Sequence, residues 1–274
     1  MLVIPYPRIP PVIVSIGPLA IRWYGVMYIV GYIVGYRLAL GRIRRGATAL
    51  SRQGLDSLVW YLVIGMLVGA RLTYVLVYGA AEYRAHPAEV FAVWRGGLSF
   101  HGAVIGMAVA CALFARRYRL SLLEVTDTVA LCGTPGLFFG RIGNFINGEL
   151  YGRASSVPWA MIFPADPLQV PRHPSQLYEA FAEGVLLAVA LWMLDRRNAR
   201  SARTAPGLLT GAFLVGYATL RFLLEFTREP DVQLGLVAGP FSMGQVLSGI
   251  MFLAGVLLLL WRRFHVGIAR HETD

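Results

Sequence analysis

The stretch FSMGQVLSGIMFLAGVLLLLW, residues 241–261, decides the fold class, because it is an apolar run long enough to cross a bilayer. A membrane-spanning helix needs about 20 mostly apolar residues. Six more stretches are similar in length and composition, at about 18–40, 55–78, 97–115, 122–140, 176–194 and 207–226. The sequence therefore predicts an all-α integral membrane protein of seven transmembrane helices, with residues 1–274 forming a single transmembrane domain.

The overall composition agrees with a membrane protein and argues against a soluble one. The chain is 57% hydrophobic and only 15% charged, whereas soluble domains carry about 25% charged residues. Its formal net charge is +10, and every basic residue apart from histidine is arginine. These arginines form short clusters between apolar runs, which is typical of membrane-protein loops and not of a nucleic-acid-binding face. No nucleic-acid partner is expected.

The arginine clusters also predict the orientation. They follow the first, third, fifth and seventh apolar runs: Arg42, Arg44, Arg45 and Arg52; Arg116, Arg117 and Arg119; Arg196, Arg197, Arg200 and Arg203; Arg262, Arg263 and Arg270. Cytoplasmic loops carry an excess of basic residues. The N-terminus is therefore predicted to face outward and the C-terminus to face the cytoplasm.

A long outward segment, about residues 141–175, is predicted to be an ordered loop on the outer membrane face. Its prolines are too frequent for a helix, and its apolar side chains argue against disorder. They are Pro158, Pro164, Pro167, Pro171 and Pro174, beside Trp159, Met161, Ile162 and Phe163. The span before it, at 122–140, is the least secure, because Gly133, Thr134, Pro135 and Gly136 would loosen a helix.

Polar residues recur near the predicted outer ends of five spans. Tyr217, Arg221 and Glu225 are spaced to share one helix face. The others are Arg22, Tyr24, His101, Arg141, Asn144, Asn147, Glu149, His173, Ser175, Gln176, Tyr178 and Glu179. An Arg–Glu pair on one helix could simply neutralise itself, and a lone histidine is more often structural than catalytic. Their convergence at one depth favours a functional site near the outer leaflet.

Two arginines lie outside this group. Arg37 and Arg71 could extend to the interface, pair with another group, or line a deeper cavity.

The segment GRIGNFINGELYGR, residues 140–153, is the most distinctive local feature. Its glycines allow close backbone approach to a ligand, and Arg141 and Arg153 can present planar forks to phosphate oxygens. It matches neither the Walker nor the dinucleotide-binding pattern. A polar turn with a small-residue packing face is the alternative.

The cysteines and the helix glycines are interpreted as structural. Cys111 and Cys132 lie in apolar stretches without metal-ligand spacing, and we expect small buried side chains and no metal site. The glycines are expected to let helices pack closely, with a hinge function as the alternative. They are Gly35, Gly65, Gly69, Gly106 and Gly211.

Six segments together resemble the prolipoprotein diacylglyceryl transferase family along nearly the whole chain. They are GRIGNFINGELYGR (140–153), PVIVSIGPLAIRWYG (11–25), GGLSFHGAVIG (96–106), HPSQLYEA (173–180), GYATLRFLLEFTREPD (216–231) and FSMGQ (241–245). The resemblance implies a seven-helix protein of the bacterial inner membrane with a periplasmic N-terminus. It implies transfer of a diacylglyceryl group from phosphatidylglycerol to the lipobox cysteine of a prolipoprotein signal peptide, which begins lipoprotein maturation. No cofactor, metal or nucleotide is expected, because the phosphoester donor carries its own leaving group.

The resemblance also implies a set of site residues. We expect His101, Arg141, Arg221 and Tyr24 to act in catalysis. Asn144, Glu149, Gly152, Tyr217 and Glu225 are expected to bind substrate, and the outward position of Arg22 adds it to this group. His101 is the candidate base for the acceptor thiol, and Arg141 and Arg221 would hold the leaving phosphate.

Two other function classes stay open on the residues alone. A transporter or flippase for an anionic lipid would also need outer-leaflet arginines, but it should show polar residues across the bilayer. A non-catalytic lipid-binding subunit would tolerate the loss of His101.

Overall fold

The computed structural model describes residues 4–7, 9–17, 19–199, 206–229, 236–239 and 241–271, and most of them are helical. The elements are β1 Val12–Ile16, β2 Leu19–Arg22, α1 Trp23–Arg44, α2 Arg52–Thr73, α3 Ala80–Ala85, α4 Phe100–Tyr118, α5 Leu122–Asn147, α6 Ser175–Glu179, α7 Leu187–Ala199, α8 Leu208–Leu224, β3 Leu236–Ala238, β4 Phe241–Ser242 and α9 Met243–His271. A π-helical turn, Tyr74–Tyr78, extends α2, and a π-helical segment, Ala180–Leu186, joins α6 to α7.

Within the described residues, six helical stretches are long and apolar enough to cross a membrane: Trp23–Arg44, Arg52–Tyr78, Phe100–Tyr118, Leu122–Asn147, Ser175–Asn198 and Met243–Phe264. Helix α8 is also apolar, but its 17 residues make it shorter than the others. The prediction of an all-helical integral membrane protein is confirmed. The helices themselves extend several residues past the predicted ends of most spans.

The chain forms two compact units. Residues 1–47 and 127–274 make the first, called the major unit, and residues 48–126 make the second, called the minor unit.

The minor unit is built on close packing of α2 against α4 through glycines. A Cβ atom at Gly69 would collide with the carbonyl of Gly102, and one at Gly106 would collide with the carbonyl of Gly65. A Cβ at Gly65 would lie 2.7 Å from the Cβ of Ala110. Small residues let helix backbones approach within a membrane, so the packing interpretation of Gly65, Gly69 and Gly106 is confirmed.

Arg71 has a structural role in the minor unit. Its buried guanidinium donates hydrogen bonds to the carbonyls of Glu89 (2.6 Å), Val90 (2.7 Å), Gly96 (2.9 Å) and Gly97 (3.0 Å). These carbonyls belong to the connection between α3 and α4, which contains the 3₁₀ helices Pro87–Phe91 and Val93–Arg95. Of the three roles considered for this arginine, the structure supports pairing, because the side chain holds the connection in place.

The major unit contains α5, which corrects the predicted end of the fourth span. The helix continues through Pro135 to Asn147, so residues 141–147 are helical and the long loop begins at 148. A proline removes the hydrogen bond to the carbonyl four residues earlier. Here that carbonyl is Leu131, and it accepts instead from the Thr134 hydroxyl at 2.8 Å. Thr134 therefore preserves the helix that positions Arg141 and Asn144.

Glycines also set the distances between helices of the major unit. A Cβ at Gly35 of α1 would collide with the carbonyl of Cys132 in α5, and one at Gly211 of α8 would lie 2.7 Å from Leu259 of α9. Both packing predictions are confirmed. Cys111 is buried as expected, whereas Cys132 is only half-buried, and both are free thiols.

One end of the major unit is joined by buried ion pairs. Arg42 of α1 contacts Asp195 of α7 at 3.0 Å and donates to the Thr128 hydroxyl of α5 at 2.8 Å. Arg45 contacts the other oxygen of Asp195 at 2.7 Å. Beside them, Asp127 accepts from the backbone N–H groups of Gly207 and Thr210 at the start of α8.

Residues 148–174 form an ordered loop held by backbone bridges and by Arg172. The Arg172 guanidinium pairs with both oxygens of Asp166, at 2.7 and 3.0 Å. This pairing holds the pKa of Asp166 below its ordinary value. The prediction of an ordered, non-helical loop is confirmed from residue 148 onward.

Candidate active site

Ion-paired side chains from α5, α6 and α8 gather in the major unit. Arg141 lies on α5, Glu179 ends α6, and Arg221 belongs to the last turn of α8. Glu225 and Arg228 follow α8 directly. The structure thus brings two of the predicted arginines into the same unit, on helices that the sequence separates widely.

Glu179 is the acidic centre of the first group. One of its carboxylate oxygens lies 2.7 Å from Nε of Arg141, and the other lies 3.2 Å from Nη1 of Arg228. The Glu179 side chain is 1% exposed, whereas that of Arg141 is 19% exposed. A buried carboxylate thus fixes Arg141 through Nε, while the Arg141 side chain as a whole stays partly exposed.

Glu225 is the acidic centre of the second group. Its Oε2 lies 2.6 Å from Nη1 of Arg221. Its Oε1 accepts from the Ser242 hydroxyl at 2.7 Å, and a Cβ at Gly244 would lie 2.9 Å from this oxygen. The segment FSMGQ therefore holds the Glu225 carboxylate in place. Ser242 donates a hydrogen bond to it, and Gly244, having no side chain, leaves room for it.

This second group shows more than an Arg–Glu pair that neutralises itself on one helix. The carboxylate is also held by residues from the start of α9, and it is buried. The Arg221 side chain is 15% exposed. An arginine fixed at one nitrogen can still present its other N–H groups to a phosphate or carboxylate.

Asn144 and Glu149 form a polar arrangement at the end of α5. Glu149 accepts from the side-chain amides of Asn144 (2.8 Å) and Asn147 (3.3 Å). The Gln176 amide donates to the backbone carbonyl of Glu149 at 2.6 Å. The carboxylate that pairs with Arg141 is thus that of Glu179 and not that of Glu149.

Tyr24 lies beside the same part of α5. Its ring contacts Gly143, where a Cβ would approach Cδ2 of the ring to 2.6 Å. Its hydroxyl lies 3.1 Å from that of Tyr28. Gly143 thus provides the space in which Tyr24 packs. This glycine lies on α5, close in sequence to Arg141 and one helical turn before Asn147.

Three other predicted substrate-binding residues have defined places in the major unit. Gly152 lies between Thr227 and His173, where a Cβ would collide with the Thr227 carbonyl, and its N–H donates to the His173 carbonyl at 2.9 Å. Tyr217 stacks on Phe213 with ring centroids 5.6 Å apart. Arg22 ends β2 and is exposed. Their contact with substrate stays a prediction.

His101 belongs to the minor unit, in the first turn of α4. Ser99 caps this helix by accepting from the Gly102 N–H at 3.3 Å, and its own N–H donates to the Ala70 carbonyl. The His101 side chain is exposed and meets the ring of Phe100 edge-on. The cap and the glycine contacts with α2 fix the position of His101 within its unit.

Comparisons with known proteins identify the family of this chain. The family model for prolipoprotein diacylglyceryl transferase matches residues 11–261. The chain belongs to this family. It is 49% identical over 257 residues to the phosphatidylglycerol–prolipoprotein diacylglyceryl transferase of Bordetella bronchiseptica, covering 93% of this chain and 96% of that one. It is also 49% identical to the same enzyme of Methylibium petroleiphilum over 261 residues, covering 93% and 97%.

A third relative extends the match to nearly the full length of the chain. The phosphatidylglycerol–prolipoprotein diacylglyceryl transferase of Cupriavidus pinatubonensis is 46% identical over 275 residues and covers 98% of each chain. All of the predicted site residues lie within residues 11–261, the range that the family model matches.

Three residues of these groups were not predicted: Glu183, Arg228 and Ser242. Glu179 was predicted only as a polar residue near the outer leaflet, without its contacts to Arg141 and Arg228. Glu179 and Glu183 are spaced by four in an otherwise apolar helix, so they share a face. Acidic residues inside a predicted span are costly unless paired, and this signal could have identified both.

Proposed function

We propose that this protein transfers the diacylglyceryl group of phosphatidylglycerol to the thiol of a lipobox cysteine, forming a thioether and releasing glycerol 1-phosphate. Family membership supports the activity. The single observation that carries the site assignment is a pair of partly exposed arginines, Arg141 and Arg221. Each of them is ion-paired with a buried carboxylate.

The proposal includes a topology. The seven helices with a periplasmic N-terminus require α8 to cross the bilayer as the sixth span, although it has only 17 residues. A helix of this length is within the range that spans a membrane. The chain would then be a single inner-membrane domain over residues 1–274, with the site near the periplasmic leaflet. The arginines after alternate spans support this orientation.

The arginines would act on the phosphate of the donor lipid. The acceptor sulfur attacks the glyceryl carbon, the bond from that carbon to the phosphate oxygen breaks, and the electron pair leaves with the phosphate. Fixed guanidiniums stabilise such developing charge without reorganising during the reaction. Arg141 and Arg221 are the residues for this role, and Tyr24 and Asn144 are suited to bind the glycerol headgroup.

His101 would accept the proton of the acceptor thiol. Transfer from a free thiol to a free imidazole is uphill by about 2.7 kcal/mol in water, so the bound state must favour the thiolate. A cation next to the acceptor sulfur would lower the pKa of its thiol, because it stabilises the negative charge of the thiolate. Histidine is the side chain that most often acts as a general base near neutral pH, which supports the assignment.

The experiment is diacylglyceryl transfer from labelled phosphatidylglycerol to a lipobox peptide by the purified protein. We expect transfer to require the peptide thiol and to fall in His101→Gln and Arg141→Ala. Arg37→Lys is the matched control, since Arg37 is exposed on α1. Binding of the lipid with no peptide modification would favour a transporter or a lipid-binding subunit instead.

A further inference from the structure

Glu183 is a fully buried carboxyl group that the proposed reaction does not use. Its side chain is 0% exposed. Within the part of the chain that the structure describes, neither of its oxygens has a hydrogen-bond partner. Its nearest cation is Nη2 of Arg141, at 3.9 Å. This distance exceeds that of a hydrogen bond, so Arg141 is close without being a bonded partner.

The position of Glu183 is set by the backbone. It lies in the π-helical segment Ala180–Leu186, one turn beyond Glu179. Its neighbour Gly184 packs against Phe138 of α5, where a Cβ would lie 2.7 Å from the Cα of Phe138. π-Helical turns inside helices occur frequently at functional sites. The close contact with α5 keeps Glu183 beside Arg141.

The charged groups that face Glu183 come from every neighbouring element. They are Arg141 on α5, Glu179 on α6, Arg221 on α8, and Arg228 after α8, with Tyr217 of α8 beside them. Arg221 is balanced by Glu225. Arg141 and Arg228 share the single carboxylate of Glu179, so these three groups together carry one uncompensated positive charge.

Whether that charge persists depends on the proton of Glu183. A buried carboxyl group without hydrogen bonds is far more stable neutral than ionised. Neutral Glu183 leaves the positive charge of Arg141 available to an anion, whereas ionised Glu183 cancels it. Glu149 does not change this balance, because it is exposed and accepts from asparagine amides.

We propose that Glu183 is a positioning residue: in its protonated form it leaves the Arg141 guanidinium free to bind the donor lipid. Neutral Glu183 leaves the Arg141–Glu179–Arg228 group with one positive charge, which matches the single negative charge of a phosphodiester. Ionisation of Glu183 draws the guanidinium of Arg141 away from the lipid and weakens binding. This inference rests on the proposed function, since the anion is the phosphodiester of the donor.

The test compares the wild type with Glu183→Gln across mildly acidic to mildly alkaline pH, measuring kcat and KM for phosphatidylglycerol separately. We expect the wild-type KM to rise roughly tenfold with pH as a buried charge appears about 4 Å from Arg141. The KM of Glu183→Gln should not rise, because glutamine stays neutral. Glu82→Gln, an exposed acid on α3, should follow the wild type.

Two results would overturn the inference. One is the same dependence of KM on pH in the wild type and in Glu183→Gln. The other is loss of transfer in Glu183→Gln at every pH while the wild type is active, which would mean that ionised Glu183 is required.

An infrared measurement keeps the inference testable if Glu183→Gln does not fold. The wild type should show a protonated-carboxyl band that disappears with rising pH in parallel with the increase in KM. Absence of such a band at mildly acidic pH would contradict the inference. No transfer by the wild type at any pH would instead contradict the proposed function, and the infrared band would still report on Glu183.

Discussion

The arginines of the site differ from surface arginines in how they are held. Arg141 and Arg221 each contact a carboxylate that is almost fully buried, and the side chain of each arginine is partly exposed. A lysine has a single charged nitrogen and cannot both keep that contact and present a planar fork to phosphate. Geometry, and not charge alone, is therefore the property on which activity depends.

Arg221→Lys should lower the rate of diacylglyceryl transfer by about 100-fold, the usual cost of losing one oriented transition-state donor. Thermal unfolding in detergent and initial rates measure fold and activity separately. Arg37→Lys is the control. Equal activity of Arg221→Lys and wild type would mean that simple charge compensation explains this position.

Ser242→Ala should weaken the position of Arg221 indirectly. It removes the hydroxyl that donates to Glu225 at 2.7 Å, a hydrogen bond to a charged group worth about 1.5–3 kcal/mol. We expect reduced transfer and a lower free energy of unfolding. Ser57→Ala, which removes a hydroxyl that donates to the Gln53 carbonyl of its own helix, is the comparison. Unchanged activity in Ser242→Ala would contradict a positioning role for FSMGQ.

At the scale of elements, α5 and the loop after it decide where Arg141, Asn144 and Glu149 lie. The helix passes Pro135 because the Thr134 hydroxyl occupies the carbonyl of Leu131 that the proline leaves free. The predicted span ended at 140, and the Gly-Thr-Pro-Gly segment at 133–136 was expected to loosen its second half. A local side-chain hydrogen bond decided otherwise, and periodicity does not reveal it.

Thr134→Val keeps the side-chain shape and removes that hydroxyl. The buried Leu131 carbonyl then lacks its donor, so the free energy of unfolding should fall by about 1–3 kcal/mol. Thr219→Val on α8 removes an equivalent hydroxyl at an exposed position and should have a smaller effect. Denaturation of the purified protein in detergent measures both. Equal effects would argue against a special role for Thr134.

The loop from 148 to 174 should lose order at low pH. Arg172 holds the pKa of Asp166 below its ordinary value of about 3.9, so the ionised carboxyl is favoured in the folded loop. This contribution is complete above the unfolded pKa and is lost as pH falls through the lower, folded pKa. Proteolysis of the loop should accelerate over that range, and Asp166→Asn should be cut faster already at neutral pH. A pH-independent cleavage rate would contradict this.

At the scale of the whole molecule, apolar length and arginine placement predicted a helical membrane protein, and family resemblance predicted the site. Composition alone could not have paired Arg141 with Glu179 or Glu225 with Ser242, because these pairs join helices far apart in sequence. The predicted helix–helix glycines were found because backbone contact depends on residue size, which a sequence shows directly.

The central claim is that the lipobox sulfur attacks the glyceryl carbon of phosphatidylglycerol while the phosphate departs. The most direct measurement uses phosphatidylglycerol with heavy oxygen between that carbon and phosphorus, the purified protein and a lipobox peptide, followed by mass spectrometry of both products. We expect a thioether-linked peptide without heavy oxygen. We also expect an equal amount of glycerol phosphate that carries the heavy oxygen. Heavy oxygen retained on the modified peptide, or lipid binding without any modified peptide, would contradict it.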